Sequence, residues 1–214
     1  MTEKEKMLAG YLYDPFAKGE DLIELRTKAH NLCRKYNLLN DEEIEERTKI
    51  LKELLPVLND GVYLQGPIQF DFGCNTYIGK NSYANFNFVV LDEAKITIGD
   101  NVFIGPNVSL LTAVHPLLAE ERNLFLKEDE DDGHITNMEY TKPIVIEDNC
   151  WICSNVTIVG GVRIGYNSVI AAGSVVVKDI PPHSLAAGNP CKVIRKITKE
   201  DSVYLKKELF PEEK

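Results

Sequence analysis

The chain of 214 residues is 44% hydrophobic and 27% charged, enough for one sizeable core plus an appendage and too apolar for a disordered chain. Its formal net charge of −9 argues against a nucleic-acid or anionic-membrane partner, either of which needs a basic face. No apolar run approaches a membrane span, the N-terminus MTEKEKMLAGYLYDPF lacks an apolar signal core, and the odd set of five cysteines fits reduced thiols in a cytoplasm.

Residues 1–59 read as helical. Leu22, Leu25, Ala29, Leu32 and Tyr36 recur at threes and fours, which places them on one helix face. A second helix is expected directly after Asn40, with Glu43 completing a capping box and an apolar stripe of Ile44, Leu51 and Leu55 ending at Pro56. From residue 60 the period becomes six. Ile146, Ile152, Ile158, Ile164, Ile170 and Val176 form one unbroken series. Ile78, Ala84, Val90 and then Ile98, Ile104, Leu110 form an earlier one. Neither a helix nor a half-buried strand has this period. Three six-residue steps close a triangular coil of about 18 residues, and stacked coils share one aliphatic core. Gly and Asn recur at the turns because they tolerate positive φ.

The sixes break at SLLTAVHPLLAEER, residues 109–122, and an acidic segment follows. The expected organisation is a helical cap over 1–59, a mainly β parallel coil over 60–197 with a loop extruded at 111–143, and a short helix within 198–214. Thr198 and Asp201 supply that helix with a capping box. The like charges of EDEDD favour an exposed loop tip within 125–140.

His115, one of four histidines, stands at the break. A regular hexad cannot project a side chain over a groove, whereas a loop on a rigid scaffold can. From the residues alone, a surface histidine before a proline turn remains the alternative. Cys150 and Cys153 form C-x-x-C, but they also occupy small positions of two successive hexads, which explains them without redox or zinc chemistry.

Five stretches carry a closer likeness: MLAGYLYD, YANFN at 83–87, IGPNVSLLTAVHP, KPIVIEDNCWI and VVKDIPPHSLAAGNPCKVI. Together they resemble the maltose/galactoside (sugar) O-acetyltransferases of the hexapeptide-repeat acyltransferases, over nearly the whole chain. The resemblance implies a left-handed parallel β-helix with an N-terminal α-helical cap. It implies acetyl-CoA as co-substrate, no metal, and a cytoplasmic homotrimer with active sites between subunits.

The resemblance also assigns residues. His115 would be the general base that activates a sugar hydroxyl for direct attack on the thioester. Asn85 and Tyr83 would meet the acceptor, as would one of Asp92 and Glu93, between which the sequence does not choose. Asp14 matches an acidic sugar contact loosely, and Asp71 stands where some members have serine. On the donor side, Trp151 would line the pantetheine channel, and the Ser154 backbone N–H would stabilise the oxyanion. Ala172 and Val177 would follow the pantetheine arm. Lys178, Lys192 and Arg195 would meet the CoA phosphates. An antibiotic O-acetyltransferase and a non-catalytic β-helix scaffold are the alternatives. A γ-class carbonic anhydrase is disfavoured, because His30, His134 and His183 form no ligand-like spacing.

Overall fold

A computed structural model describes residues 1–128 and 133–211. The hexads form a three-faced parallel β-helix. The first face stacks Tyr63–Leu64, Tyr83–Ala84, Phe103–Ile104, Trp151–Ile152, Val169–Ile170 and Ser184–Ala187, each parallel to the next. Ile68–Phe70, Phe88–Leu91, Ser109–Leu111, Thr157–Val159 and Val175–Val176 make the second face. Thr76–Ile78, Ile96–Ile98, Ile144–Ile146 and Arg163–Ile164 make the third. The hexad series is the register: Ile78, Ile98, Ile146 and Ile164 are direct partners on the third face. On the second face Phe70, Val90, Leu110, Ile158 and Val176 are direct partners. All of them belong to one buried cluster, which is why no coil is stable alone.

The corners show why asparagine recurs. Asn81, Asn87, Asn101, Asn107, Asn149, Asn155 and Asn167 all have φ between 54° and 59°. Asn is among the few non-glycine residues that enter this left-handed region readily.

Three helices precede the coils: α1 (Glu3–Ala9), α2 (Leu22–Asn37) and α3 (Ile44–Leu54). Of the predicted face of α2, Leu22, Ala29, Leu32 and Tyr36 are buried and Leu25 partly so; from Ala29 onward it joins, with α3, the same core as the first coils. The second helix starts later than expected. Glu43 accepts from the Asn40 N–H at 2.7 Å, but no side chain caps α3. Ile44 is exposed, and the inward stripe is Arg47, Leu51, Leu54 and Leu55. Arg47 ties the cap down: its Nη2 donates to the carbonyls of Leu64 at 2.9 Å and Gln65 at 2.6 Å.

At the other end, Lys192–Lys196 folds back antiparallel on Ser184–Ala187. The expected C-terminal α-helix is instead three short 3-10 turns, Lys199–Asp201, Val203–Leu205 and Lys207–Leu209. The Thr198–Asp201 capping box is present, but none of these turns buries a residue, so no packed face extends them. No helix among the described residues is long and apolar enough to cross a membrane.

Between Leu111 and Ile144 the chain leaves the coil. Ala113–Val114 pairs antiparallel with Tyr140–Thr141 and forms a neck. Beyond the neck lie α4 (Ala119–Arg122) and a hairpin of Phe125–Lys127 against His134–Thr136. The loop expected over 125–140 is therefore a hairpin in its flanks; of its EDEDD tip, 129–132 lie outside the described residues.

Candidate active site

Every coil runs from first to second to third face, so each corner repeats along the axis. The corner between second and third faces carries Asp71, Asp92, Glu93 and Thr112, and the His115 excursion leaves from it. Val177 and Lys178 are further along the same edge. The corner between first and second faces carries Asn85, then Gly105 on the next turn, then Ser154 and Ala172 on the two turns after it. Tyr83 and Trp151 project outward from the first face just before that corner. The candidate residues thus form two groups on opposite edges of the second face.

His115 follows the neck strand and precedes Pro116, with its side chain 49% exposed. Its Nδ1 lies 3.3 Å from Asn137 Nδ2 and 3.8 Å from Glu139 Oε1. Nε2 has no hydrogen-bond partner among the described residues. Glu139 is itself fixed. Tyr13 donates its hydroxyl to Oε2 at 3.0 Å, and the two backbones exchange hydrogen bonds at 2.8 and 3.1 Å. Burial, with Glu139 and Glu93 nearby, pushes the Tyr13 phenol far above its ordinary value, so it remains a donor.

The geometry separates Asp92 from Glu93. Asp92 is fully buried. Its Oδ1 accepts from the Phe72 and Gly73 N–H groups at 2.8 and 3.1 Å, and Oδ2 accepts from Thr76 Oγ1 at 2.9 Å. It braces the corner below with both oxygens engaged. Glu93 lies beside Asp71 and accepts from Thr112 Oγ1 at 3.2 Å. Burial and the Asp71 carboxylate push its pKa well above the glutamate range. Asp71 is held from the cap, by His30 Nε2 at 2.9 Å and Arg26 Nε at 3.1 Å.

Asp14 is enclosed as well. It is fully buried, and the excursion's hairpin occupies it. Oδ2 meets Lys127 Nζ at 2.8 Å and His134 Nε2 at 2.9 Å, and Oδ1 accepts from Thr136 Oγ1 at 2.5 Å. The Phe16 N–H also donates to Oδ1, at 3.0 Å, so both oxygens are engaged within the protomer. These bonds hold its carboxyl below the ordinary value despite a burial penalty that acts the other way.

On the opposite edge, Trp151 is 54% exposed in an outward column with Tyr63, Tyr83 and Phe103. Tyr63 and Tyr83 stack with centroids 6.0 Å apart. Asn85 Oδ1 accepts from the Phe86 N–H at 2.8 Å, and no hydrogen bond or ion pair links Asn85 or Tyr83 to His115 in one protomer. The Ser154 N–H has no acceptor among the described residues. It lies against Gly105, where a Cβ would approach that nitrogen to 2.7 Å. A side chain there would cover the N–H. Ala172, Val177, Lys178 and Lys192 are exposed. Arg195 is half exposed, and its guanidinium is already forked onto Asp201 at 2.8 and 2.5 Å.

Comparison with known proteins gives three family matches: the maltose acetyltransferase hexapeptide capping motif over residues 6–58, the bacterial transferase hexapeptide (six repeats) over 143–178, and the hexapeptide repeat of succinyl-transferase over 95–112. The galactoside O-acetyltransferase of Escherichia coli is 41% identical over 204 residues, 95% of this chain and 94% of that protein. A crystal structure of a maltose O-acetyltransferase from Clostridium difficile superposes with a TM-score of 0.83 at 43% identity, covering 93% of this chain and 99% of the other. A galactoside acetyltransferase in complex with coenzyme A gives 0.84 at 40% identity, covering 94% of each. The chain belongs to the maltose/galactoside O-acetyltransferase family. This acetyltransferase is therefore an enzyme, and its coil is the left-handed parallel β-helix of the hexapeptide acyltransferases.

Sequence reasoning missed three residues of the acetyltransferase's histidine edge: Tyr13, Asn137 and Glu139. Each meets His115 or its neighbours only because the neck closes, pairing Tyr140 with Val114. No local spacing signals that contact. A carboxylate close to the neck's end is the one available hint.

Proposed function

We propose that the protein transfers an acetyl group from acetyl-CoA to a sugar hydroxyl, with His115 as general base. The observation that carries this reading is the asymmetry of the imidazole: Nδ1 faces Asn137 and Glu139, and Nε2 is unpartnered among the described residues. The Asn137 Nδ2 group only donates and reaches Glu139 Oε1 at 3.5 Å, so the acceptor for an Nδ1 proton is the Glu139 carboxylate, which favours the tautomer that leaves a lone pair on Nε2. Nε2 removes the hydroxyl proton as the oxygen attacks the thioester carbon. The unused Ser154 N–H stabilises the oxyanion that develops. Collapse expels the CoA thiolate, which takes the proton back from the imidazolium. Asp71 and Glu93 hold further acceptor hydroxyls.

The two edges need each other, and one protomer keeps them apart. A cyclic homotrimer brings the His115 edge of one chain against the Asn85 and Ser154 edge of the next. The exposed aromatic column on the first face supports such burial. All five cysteines are free, which supports a reducing, cytoplasmic setting.

The test is thiol release from acetyl-CoA with a panel of maltose, glucose, galactosides and hydroxylated antibiotics, wild type beside His115→Ala. Release with a sugar should fall by about two to four decades in the variant. Undiminished release in the variant removes His115 from the chemistry, and release with antibiotics alone removes the sugar.

A further inference from the structure

Asp14 is a buried carboxylate that the proposed reaction does not use. An isolated carboxylate is costly to bury, so its retention at 0% exposure requires complete satisfaction. The Phe16 N–H supplies one bond, to Oδ1 at 3.0 Å, and every other bond among the described residues comes from one element. Lys127, His134 and Thr136 all lie on the hairpin, and they approach Asp14 from positions 113, 120 and 122 residues away. The hairpin is amphipathic in an unusual sense. Lys127, His134 and Thr136 turn inward to the carboxylate, while the cross-strand pair Leu126 and Ile135 turns to solvent, each 58% exposed. Polar bonds to the N-terminal segment therefore seat this hairpin more than apolar burial does: those to Asp14, and the one from Lys18 Nζ to the Gly133 carbonyl at 2.9 Å.

The residues just beyond the hairpin give the clamp its function. Thr136, bonded to Asp14, is followed directly by Asn137, whose amide lies 3.3 Å from His115 Nδ1. The Thr136 hydroxyl also lies 3.1 Å from the Asn137 carbonyl. Tyr13, the neighbour of Asp14, holds Glu139 by its hydroxyl and by both backbone bonds. Two consecutive residues of the N-terminal segment thus pin positions 136 and 139, and the groups facing Nδ1 sit between and at those pins.

We propose that Asp14 is a positioning residue of the acetyltransferase, clamping the hairpin through Thr136, Lys127 and His134 so that Asn137 and Glu139 are held at Nδ1 of His115. The proposal rests on His115 being the general base. Asp14 touches neither substrate nor the imidazole. It acts through Thr136, whose hydroxyl is the link that can be removed with least change of shape.

The experiment compares Asp14→Asn, Thr136→Val and Thr136→Ser with wild type and His115→Ala. Asp14→Asn and Thr136→Val should lower kcat about tenfold to a hundredfold, the scale of a misplaced catalytic group, with the KM for acetyl-CoA unchanged. Thr136→Ser restores the hydroxyl and should restore kcat. In spectra of ¹⁵N-histidine-labelled enzyme, the His115 ring signals are identified by their loss in His115→Ala. They should shift in Asp14→Asn and Thr136→Val and stay in place in Thr136→Ser. An unaltered kcat and unaltered His115 signals in Thr136→Val overturn the clamp while leaving the base intact. A rise in acceptor KM alone, with kcat and the signals unchanged, also overturns it and returns Asp14 to the acceptor. If Asp14→Asn fails to fold, the Thr136 pair decides. Full turnover in His115→Ala overturns the general-base reading first, in a variant that leaves the clamp untouched.

Discussion

The Glu139 carboxylate lies 3.8 Å from His115, longer than a hydrogen bond, so under the proposed mechanism Glu139 would act on the imidazole mainly as a charge. Glu139→Gln keeps the shape and an oxygen for Tyr13 and removes that charge. Turnover should fall by roughly one to two decades, short of the about four decades lost with a directly bonded orienting carboxylate. Steady-state kcat checks this, and an unchanged kcat assigns Glu139 to structure alone. Glu93 gives a second prediction at this scale. Its pKa is raised in the folded state, so the folded chain binds that proton more tightly than the unfolded one. The stability it contributes is fully present below its ordinary value of 4.5 and is lost as pH rises through about 8. Glu93→Gln mimics the protonated form at every pH. It should match wild type at acid pH and melt higher above pH 8, by on the order of 5 °C, read by thermal unfolding at both pH values. Asp92, pushed up to about 6, is common to both proteins and cancels from the comparison. Asp14 shows where reading residues one by one stops. Its resemblance to an acidic sugar contact is loose, and apart from the nearby Phe16 N–H the groups that bond it are more than a hundred residues away. Asp92 and Glu93 are adjacent and chemically alike in sequence, and only the corner decides which one is consumed by backbone donors.

At the scale of the element, the hexad was fully legible because one physical requirement repeats: an aliphatic side chain in the core at each short strand and a left-handed residue at the corner. The excursion was legible as a break and not as a structure. Its neck and hairpin are two and three residue pairs long, below what periodicity resolves. The C-terminal capping box was legible too, but a cap starts a helix and only packing extends it. The corner asparagines make a prediction independent of catalysis. Asn167 has φ 57° and lies on the corner between third and first faces, away from both candidate edges. Asn167→Ala should cost about 1 kcal/mol, the penalty of a Cβ-bearing residue without a polar side chain in this region. Asn167→Gly should be nearly neutral. Urea midpoints with an unchanged m-value would measure both, and equal midpoints for Ala and Gly refute the corner argument.

At the scale of the whole molecule, the proposed reaction needs two edges that one protomer keeps apart. Light scattering should return the mass of three chains, and a one-chain mass rejects the trimer. A sharper prediction uses two inactive variants, His115→Ala on one edge and Asn85→Ala on the other. Mixed, dissociated and reassembled in equal amounts, they form some interfaces that take an intact edge from each parent. About a quarter of wild-type activity should return, the fraction of interfaces so composed in a random cyclic assembly. A site complete within one protomer predicts none.

The parallel stacking of the faces has a metric consequence. Successive strands lie about 4.8 Å apart along the axis, so the solenoid is graduated like a ruler, with Asn85, Ser154 and Ala172 at marks along one edge. Adding or deleting one full coil would keep every aliphatic contact in register and every corner in its left-handed conformation. It would also slide part of one edge past the other by a whole division, more than the tolerance of a near-attack geometry. The fold accepts whole-coil changes in length and the proposed chemistry does not, so under that proposal the number of coils between the histidine and the donor edge matches the length of the extended donor that would lie along it.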